Sequence, residues 1–355
     1  MKNDFTNRLM QWHKEDNLRE MPWKGEKNPY KIWLSEVILQ QTRVEQGRSY
    51  YENFIKHYPT VSDLAKAKDE DVFKLWEGLG YYNRCKNLLY TARYITNDLQ
   101  SKFPEDYDSI VALKGIGPYT AAAISSFAFN LPYAVVDGNV FRVLSRFFGI
   151  DIAIDSTVGK NQFSILANKV LDKNAPGEYN QAIMDFGATV CKPQSPLCNH
   201  CPLQRDCDAY NTGRVNYLPV KEKLLLKKNR WFYYFLLEVD CKMLIHKREG
   251  KDIWQNLFEF YLIESNEQLL LDEQKVSEIL QEQLGIKKPE VLYISQQLSQ
   301  QLTHQTIKGK FIHVKLTSVP STLKQYQLQP INKLKDQAFP KFINQFLESW
   351  HKPQL

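Results

Sequence analysis

Four of the chain's six cysteines lie in "CKPQSPLCNHCPLQRDC", residues 191–207, at Cys191, Cys198, Cys201 and Cys207. The spacing is C-x6-C-x2-C-x5-C. Four thiolates in so short a loop can surround one inorganic centre, either tetrahedral zinc or an iron–sulfur cluster, and ligand type alone does not choose between them. The plainer reading, unpaired cysteines in a loop, sits poorly with such density. The N-terminal stretch "MKNDFTNRLMQWHKEDNLRE" is polar and charged, unlike a signal peptide. The chain is therefore expected to be intracellular, with reduced thiols, and the cluster points to metal rather than disulfides. Cys85 and Cys241 stand alone and read as structural.

Two carboxylates sit in contrasting surroundings. In "IWLSEVILQQT", Glu36 shares a helix with Ile32 and Trp33 one turn before it and Leu39 one turn after. A carboxyl held among apolar groups has a raised pKa and can stay protonated. Taken by itself, the stretch is read more simply as carrying a solvated surface glutamate. In "PYAVVDGNVFRVLSRFFGI", Asp137 ends an apolar run and precedes a helix that begins near Asn139. It reads as an N-cap, and capping amides and the helix dipole would also hold it ionised. One carboxyl pushed towards neutral and one towards charged would separate an acid from an electrostatic stabiliser. Breaking an N-glycosidic bond uses both, a proton for the leaving base and a negative charge beside the developing oxocarbenium ion.

The segment "LKGIGPYT", residues 113–120, places Gly115 and Gly117 between two helical stretches and is followed at once by Tyr119 and "TAAAISSFAF". It reads as a helix–hairpin–helix, in which glycine lets the backbone approach a partner and the amides opening the next helix face a phosphate. An ordinary tight connection explains the turn alone equally well, and the thiolate loop downstream moves the balance toward DNA. Such contacts position a duplex without reading its sequence.

The elements that must hold these groups divide the chain. Residues 1–210 read as mostly helical, with a stop at Pro59 and a helix cap at Ser62. Residues 211–229 read as a polar, basic connector. Residues 230–355 alternate aromatic and β-branched runs such as "RWFYYFLLEVDCKMLIHKR" with one helix ending at Gly285 and a closing helix in "FPKFINQFLESW". The expected fold is thus multidomain, an all-helical region followed by an α+β domain. A chain of 355 residues suits two or three domains. Its net charge of +6 is compatible with a polyanionic partner, but neither half is a basic tail, so a nucleic-acid site has to be a local patch. No apolar run approaches the length of a membrane span.

Taken together, "MPWKGEKNPYKIWLSEVILQQTRVE", "GLGYYNR", "KGIGPYTAAAI", "VVDGNVFRV", "NQAIMDFGATVC" and the cysteine loop resemble the MutY-type adenine-DNA glycosylases of the endonuclease III-like superfamily. They occur in family order across most of residues 19–207. The resemblance implies a [4Fe–4S] cluster on Cys191, Cys198, Cys201 and Cys207. It implies Glu36 as general acid, with a later part in activating water, and Asp137 as stabiliser of the sugar cation. Tyr119 and Asn139 would support the two carboxyls, and Arg19, Trp23 and Gln181 would line the pocket for a flipped adenine. Gln41 and Tyr81 would wedge into the duplex, with Thr42 and Leu79 near the lesion, offsetting part of the cost of base extrusion.

The second domain resembles the Nudix-like domain of the same family. Its helix "VSEILQEQLG" lacks the paired glutamates that hold a catalytic metal, which favours recognition over hydrolysis. The family's Phe-Ser-His loop, which reads 8-oxoguanine, is matched here by Leu302, Thr303 and His304, with the aromatic replaced. The implied partner is double-stranded DNA carrying adenine opposite 8-oxoguanine or guanine. The implied protein is a monomer of the bacterial cytosol or nucleoid, with no membrane association. Two other readings remain at this point: an endonuclease III-like glycosylase and lyase for oxidised pyrimidines, and a non-catalytic iron–sulfur DNA-binding protein.

Overall fold

The computed structural model describes residues 2–222 and 227–350. Part of the expected connector, residues 223–226, lies outside them. From the N-terminus run α1 (Lys2–Glu15), α2 (Pro29–Leu39), α3 (Val44–His57), α4 (Val61–Lys66), α5 (Asp69–Trp76), α6 (Asn83–Asn97), α7 (Tyr107–Val111), α8 (Pro118–Phe129), α9 (Gly138–Phe148), α10 (Thr157–Val170), α11 (Pro176–Thr189) and α12 (Asp208–Asn211). Local chemistry sets many of the starts. Asn28 accepts from the amides of Tyr30 and Lys31, Asp106 from Ser109 and Ser156 from Gly159, while Pro29, Pro118 and Pro176 open their helices.

Two expectations change. The periodic run into Pro59 is broken at Gln40–Arg43, where Gln41 takes a left-handed backbone (φ 59°), so α2 and α3 are separate helices. The cap of α4 is Thr60, not Ser62: Thr60 and Asp63 form a reciprocal capping box, which places Ser62 inside the first turn.

Contacts divide the chain into two compact units. One comprises Met1–Ala67 and Lys86–Leu224; the other joins Lys68–Cys85 to Leu225–Leu355. The first is helical. Its core gathers Phe5, Leu9 and Trp12 of α1 with Val143 and Phe147 of α9 and Tyr179, Ile183 and Phe186 of α11.

The second unit is built on a mixed sheet. Its elements are β1 (Lys228–Val239), β2 (Lys242–Lys247), β3 (Phe258–Glu259), β4 (Tyr261–Ser265), α13 (Glu273–Leu284), β5 (Glu290–Ile294), β6 (Leu298–Gln301), β7 (Gln305–Lys315), β8 (Gln327–Pro330) and α14 (Lys341–Ser349). β1 pairs in parallel with β7, from Lys228 opposite Gln305 to Glu238 opposite Lys315. β2 and β4 run antiparallel to β1, and β5 and β6 antiparallel to β7. β1 is apolar on both faces because both are covered. Tyr233, Phe235 and Leu237 share a core cluster with Val276 and Leu280 of α13, while Tyr234 stacks on Phe311 at 5.4 Å and meets Phe342 of α14 at 6.4 Å. At Gly309 a Cβ would lie 1.7 Å from the Phe232 carbonyl oxygen, so only glycine lets β7 approach β1 there. No helix among the described residues is long and apolar enough to cross a membrane.

Candidate active site

A cavity of about 520 Å³ in the helical unit is bordered by α2, α8, α9 and α11. Of the residues singled out from sequence, Arg19, Trp23, Glu36, Gln41, Thr42, Tyr119, Asp137, Asn139 and Gln181 all line it. They come from segments far apart in the chain, so the convergence is a product of the fold.

Glu36 sits in the apolar interior of α2 and is only 8% exposed, which removes the surface reading of this residue. Burial raises its pKa to about 7, against the hydrogen bond from the Tyr119 hydroxyl and helped by the charge of Asp137. Tyr119 lies in the first turn of α8, and its hydroxyl also approaches the Met184 sulfur at 3.5 Å. The hydrogen-bonding partner of Tyr119 among the two carboxyls is therefore Glu36 rather than Asp137.

Asp137 is the N-cap of α9. One carboxylate oxygen accepts the amides of Asn139 and Val140, each at 2.8 Å, and the other accepts the Asn139 side-chain amide at 2.8 Å. The cap is as read from sequence, but its electrostatic consequence is corrected. Burial raises the pKa of Asp137 from the ordinary aspartate value, and the capping amides and Arg142 only oppose that rise. Desolvation works on both carboxyls in the same direction, and the difference between them lies in donors. Asp137 has three hydrogen bonds to its ionised form, whereas Glu36 has the one from Tyr119.

Arg142, one turn into α9, was not among the residues expected from sequence. Its guanidinium donates to the Asn139 side-chain oxygen at 2.8 Å, to the Gly187 carbonyl at 2.7 Å and to the Cys191 carbonyl at 2.7 Å. Its bond to the Asn139 oxygen leaves the Asn139 NH2 facing Asp137. Asp185 was also missed. It is fully buried and bonded by the side chains of Asn17, Arg19 and Gln181. The signal was weak in both cases, an i+3 spacing from Asn139 and an i+4 spacing from Gln181.

The glycine turn leads into α8. Gly115 has φ +81°, and a Cβ there would lie 2.6 Å from that of Asn87, so this glycine is required by the turn and by its packing. Gly117 caps α8 without a side-chain hydrogen bond, and the space beside it is open. The opening amides of α8 therefore have room for an outside acceptor. Thr91 fixes the turn by donating to the Lys114 carbonyl at 2.8 Å, and the Lys114 ammonium rests 4.0 Å from the centre of the Tyr90 ring.

All four clustered cysteines are free thiols and border one small pocket. Burial raises Cys198, Cys201 and Cys207, Cys201 to about 12, and the neighbouring sulfurs reinforce the rise. The Arg146 guanidinium lies 3.6 Å from the Cys191 sulfur. Among the described residues no group of three or more Cys, His, Asp or Glu closes to the spacing of a single bound ion.

In the second unit, Thr303 and His304 are exposed at the turn between β6 and β7, closed by the Leu302 amide on the Gln305 carbonyl at 2.8 Å. The Tyr81 hydroxyl hydrogen-bonds Thr303, which brings these two expected residues together. Tyr81 is 41% exposed on a left-handed backbone (φ 49°), whereas Leu79 is buried. The tight turn around Gly80 aims Tyr81 outward and Leu79 inward, so Leu79 could stand near a lesion through its backbone rather than its side chain.

Asp252, Glu259 and Glu264 of this unit are bonded within it. Arg230 pairs with Asp252 and Glu264 at 2.6 Å each, and Arg248 with Asp252 at 2.8 Å and Glu259 at 2.7 Å. Burial would raise Asp252, but the Arg230 bond outweighs it and the pKa falls to about 2. On α13, Glu273, Glu278 and Glu282 are exposed.

Two family models match separate stretches of the chain. Residues 34–161 match the HhH-GPD superfamily of base excision DNA repair proteins, and residues 233–349 match the NUDIX domain. The chain is 36% identical over 258 residues to an adenine DNA glycosylase of Buchnera aphidicola subsp. Schizaphis graminum, covering 72% of this chain and 74% of that one. It is 41% identical over 214 residues to the Homo sapiens adenine DNA glycosylase, covering 58% and 39%. Among solved structures, a thermostable thymine-DNA glycosylase aligns with a TM-score of 0.55 at 28% identity, over 59% of this chain and 97% of that one. A trapped endonuclease III–DNA covalent intermediate aligns at 0.52 and 24%, over 60% and 98%, and shares the fold.

Proposed function

The chain belongs to the adenine DNA glycosylase family, and from that premise we propose that it is a monofunctional glycosylase of base excision repair. Its substrate is adenine opposite 8-oxoguanine or guanine in duplex DNA. The observation that carries this reading is the shared cavity of Glu36 and Asp137. A glutamate whose pKa lies at about 7 keeps a substantial protonated fraction at neutral pH and can deliver a proton to the departing base. Asp137, with three donors on its carboxylate, offers fixed negative charge beside the sugar as it becomes an oxocarbenium ion. Tyr119 orients Glu36, Asn139 orients Asp137, and Arg19, Trp23 and Gln181 wall the base. The duplex is held at the amides opening α8, with Gln41 and Thr42 at the mouth of the cavity. A phenol cannot form an imine, so Tyr119 supports hydrolysis without strand cleavage.

A [4Fe–4S] cluster fits Cys191, Cys198, Cys201 and Cys207. Four cysteines border one pocket, the ionisation of Cys198, Cys201 and Cys207 is opposed by burial and by neighbouring sulfurs, and a metal charge would compensate it; a cluster is wider than a single ion. When bound it supplies that charge and ties the loop together; the protein-bound metal is expected to be iron. Residues 1–210 would form the glycosylase region, 211–229 the connector and 230–355 the lesion-recognition domain, with Thr303, His304 and Tyr81 facing the lesion. The protein would act as a monomer in the cytosol or nucleoid.

The test is direct. Duplexes carrying adenine opposite 8-oxoguanine, adenine opposite guanine, and thymine glycol are incubated with the protein and then treated with alkali. Excision of adenine from the first two is expected, with strands intact until alkali is added. Cleavage of the thymine glycol duplex without alkali would favour the endonuclease III-like reading, and no excision at all the non-catalytic one.

A further inference from the structure

Two of the side chains that line the cavity, Arg19 and Gln181, are held by a residue that itself contributes no surface to it. Asp185 of α11 is fully buried. One of its oxygens accepts from Arg19 Nη1 at 2.8 Å and Gln181 Nε2 at 3.0 Å; the other accepts from Asn17 Nδ2 at 2.9 Å and faces Lys24 Nζ at 3.5 Å. All four neighbours are donors, two of them cationic. A carboxylate so placed has only lone pairs to offer.

This constrains Gln181 beyond its position. A glutamine amide has a donor end and an acceptor end, and the Asp185 carboxylate can accept only the donor end. The carbonyl end of Gln181 is thereby turned away from Asp185, and Gln181 borders the cavity with Glu36 and Asp137. Asn17 is fixed in the same sense: its NH2 also approaches His13 Nδ1 at 2.8 Å, and its oxygen accepts the Arg19 amide at 3.1 Å.

We infer that Asp185 is a positioning residue for base specificity: by fixing the polarity of the Gln181 amide it makes the cavity present an acceptor to the 6-position of the extruded purine. An acceptor matches the exocyclic amino group of adenine. It opposes the 6-oxo group of hypoxanthine, which is also an acceptor. A buried polar pair that fails to match is worth more in rejection than a matched pair is in attraction. The inference deepens the adenine-excision reading and rests on it.

The experiment compares single-turnover excision of adenine and of hypoxanthine opposite 8-oxoguanine, using the full-length protein. Asp185→Ala frees the Gln181 amide to rotate. It is expected to lower the adenine-to-hypoxanthine rate ratio by roughly tenfold, the scale of one hydrogen bond. Gln181→Leu should lower the ratio similarly, and adding Asp185→Ala to Gln181→Leu should leave it unchanged. A merely structural Asp185 would slow both bases alike, and an unchanged ratio in Asp185→Ala overturns the inference. Should Asp185→Ala not fold, Gln181→Lys decides, because its donor-only ammonium should favour hypoxanthine. Retention of the native ratio by both Gln181→Leu and Gln181→Lys would then overturn it. If the unmodified protein excises neither purine, the adenine reading falls together with this inference. If Glu36-dependent adenine excision persists with an insensitive ratio, only the inference falls.

Discussion

The helical unit and the sheet unit both bury charge, but they leave it in different states. In the sheet unit Arg230 and Arg248 are bonded to Asp252, Glu259 and Glu264, so the charges answer one another within the fold. In the helical unit Glu36 is buried beside a cavity with only a tyrosine for a partner and with another carboxyl near enough to raise its pKa. A closed network holds a shape. A buried acid left without a cation is costly to the fold and is therefore a mark of chemistry.

The sharpest way to break this comparison is at the open carboxyls. Glu36→Gln and Asp137→Asn are each expected to keep duplex binding and lose excision by about 10²–10⁴-fold, measured in single turnovers. The pH profile should carry the same mark. Glu36 is protonated below about 7, so its contribution as an acid should be full below that pH and fall as pH rises through it.

At the closed network the expected loss is in stability. Arg248→Met leaves Glu259 buried without its guanidinium and should lower unfolding free energy by about 3–5 kcal/mol. Excision by the protein that remains folded should be unaffected. A large drop in intrinsic excision rate would show that the network serves the chemistry and dissolve the contrast.

Glu36 also makes a stability prediction of the opposite sign. Below the ordinary glutamate value of 4.5 the group is protonated both folded and unfolded; between there and about 7 only the unfolded chain releases its proton, and folding weakens as pH rises. Glu36→Gln should therefore be more stable than the native protein at pH 8, by about 3 kcal/mol, and similar to it near pH 4, as read by denaturant unfolding.

The smallest effect is expected at the Tyr81–Thr303 contact. Thr303→Ala should reduce the preference for 8-oxoguanine over guanine opposite adenine severalfold, on the scale of one hydrogen bond, with excision from the guanine pair nearly unchanged. Loss of both activities together would remove Thr303 from lesion reading.

Much of the site was legible in the sequence because its signals are local. "VVDGN" announced a cap and the cysteine spacing a shared loop, whereas Ile32 and Trp33 beside Glu36 offered an apolar setting that the stretch alone did not decide against a solvated surface. What stayed hidden depends on groups far apart in the chain. The donors on Asp185 come from α11 and from the segment after α1, and no spacing rule joins them. The rise in the pKa of Asp137 follows from how deeply the cap is covered, which a capping signature does not report. The left-handed Gln41 was masked by a periodicity that runs unbroken on both sides of it. Leu79 and Tyr81 are separated by one glycine, and only the geometry of that turn sends one inward and the other out.

The segment Lys68–Cys85 belongs to the compact unit completed by Leu225–Leu355. It carries Val72, Phe73 and Trp76, all buried in the finished molecule. During synthesis this stretch emerges long before Gln337 and Phe339, which its Lys74 and Glu77 hydrogen-bond, while the chain on either side of it belongs to the helical unit. Domains generally fold in the order in which they are made. Here the first to be made is interrupted by a segment whose hydrogen bonds to the Gln337 carbonyl and the Phe339 amide form only when the last is finished, so a nascent chain stalled in the connector would carry it without those partners.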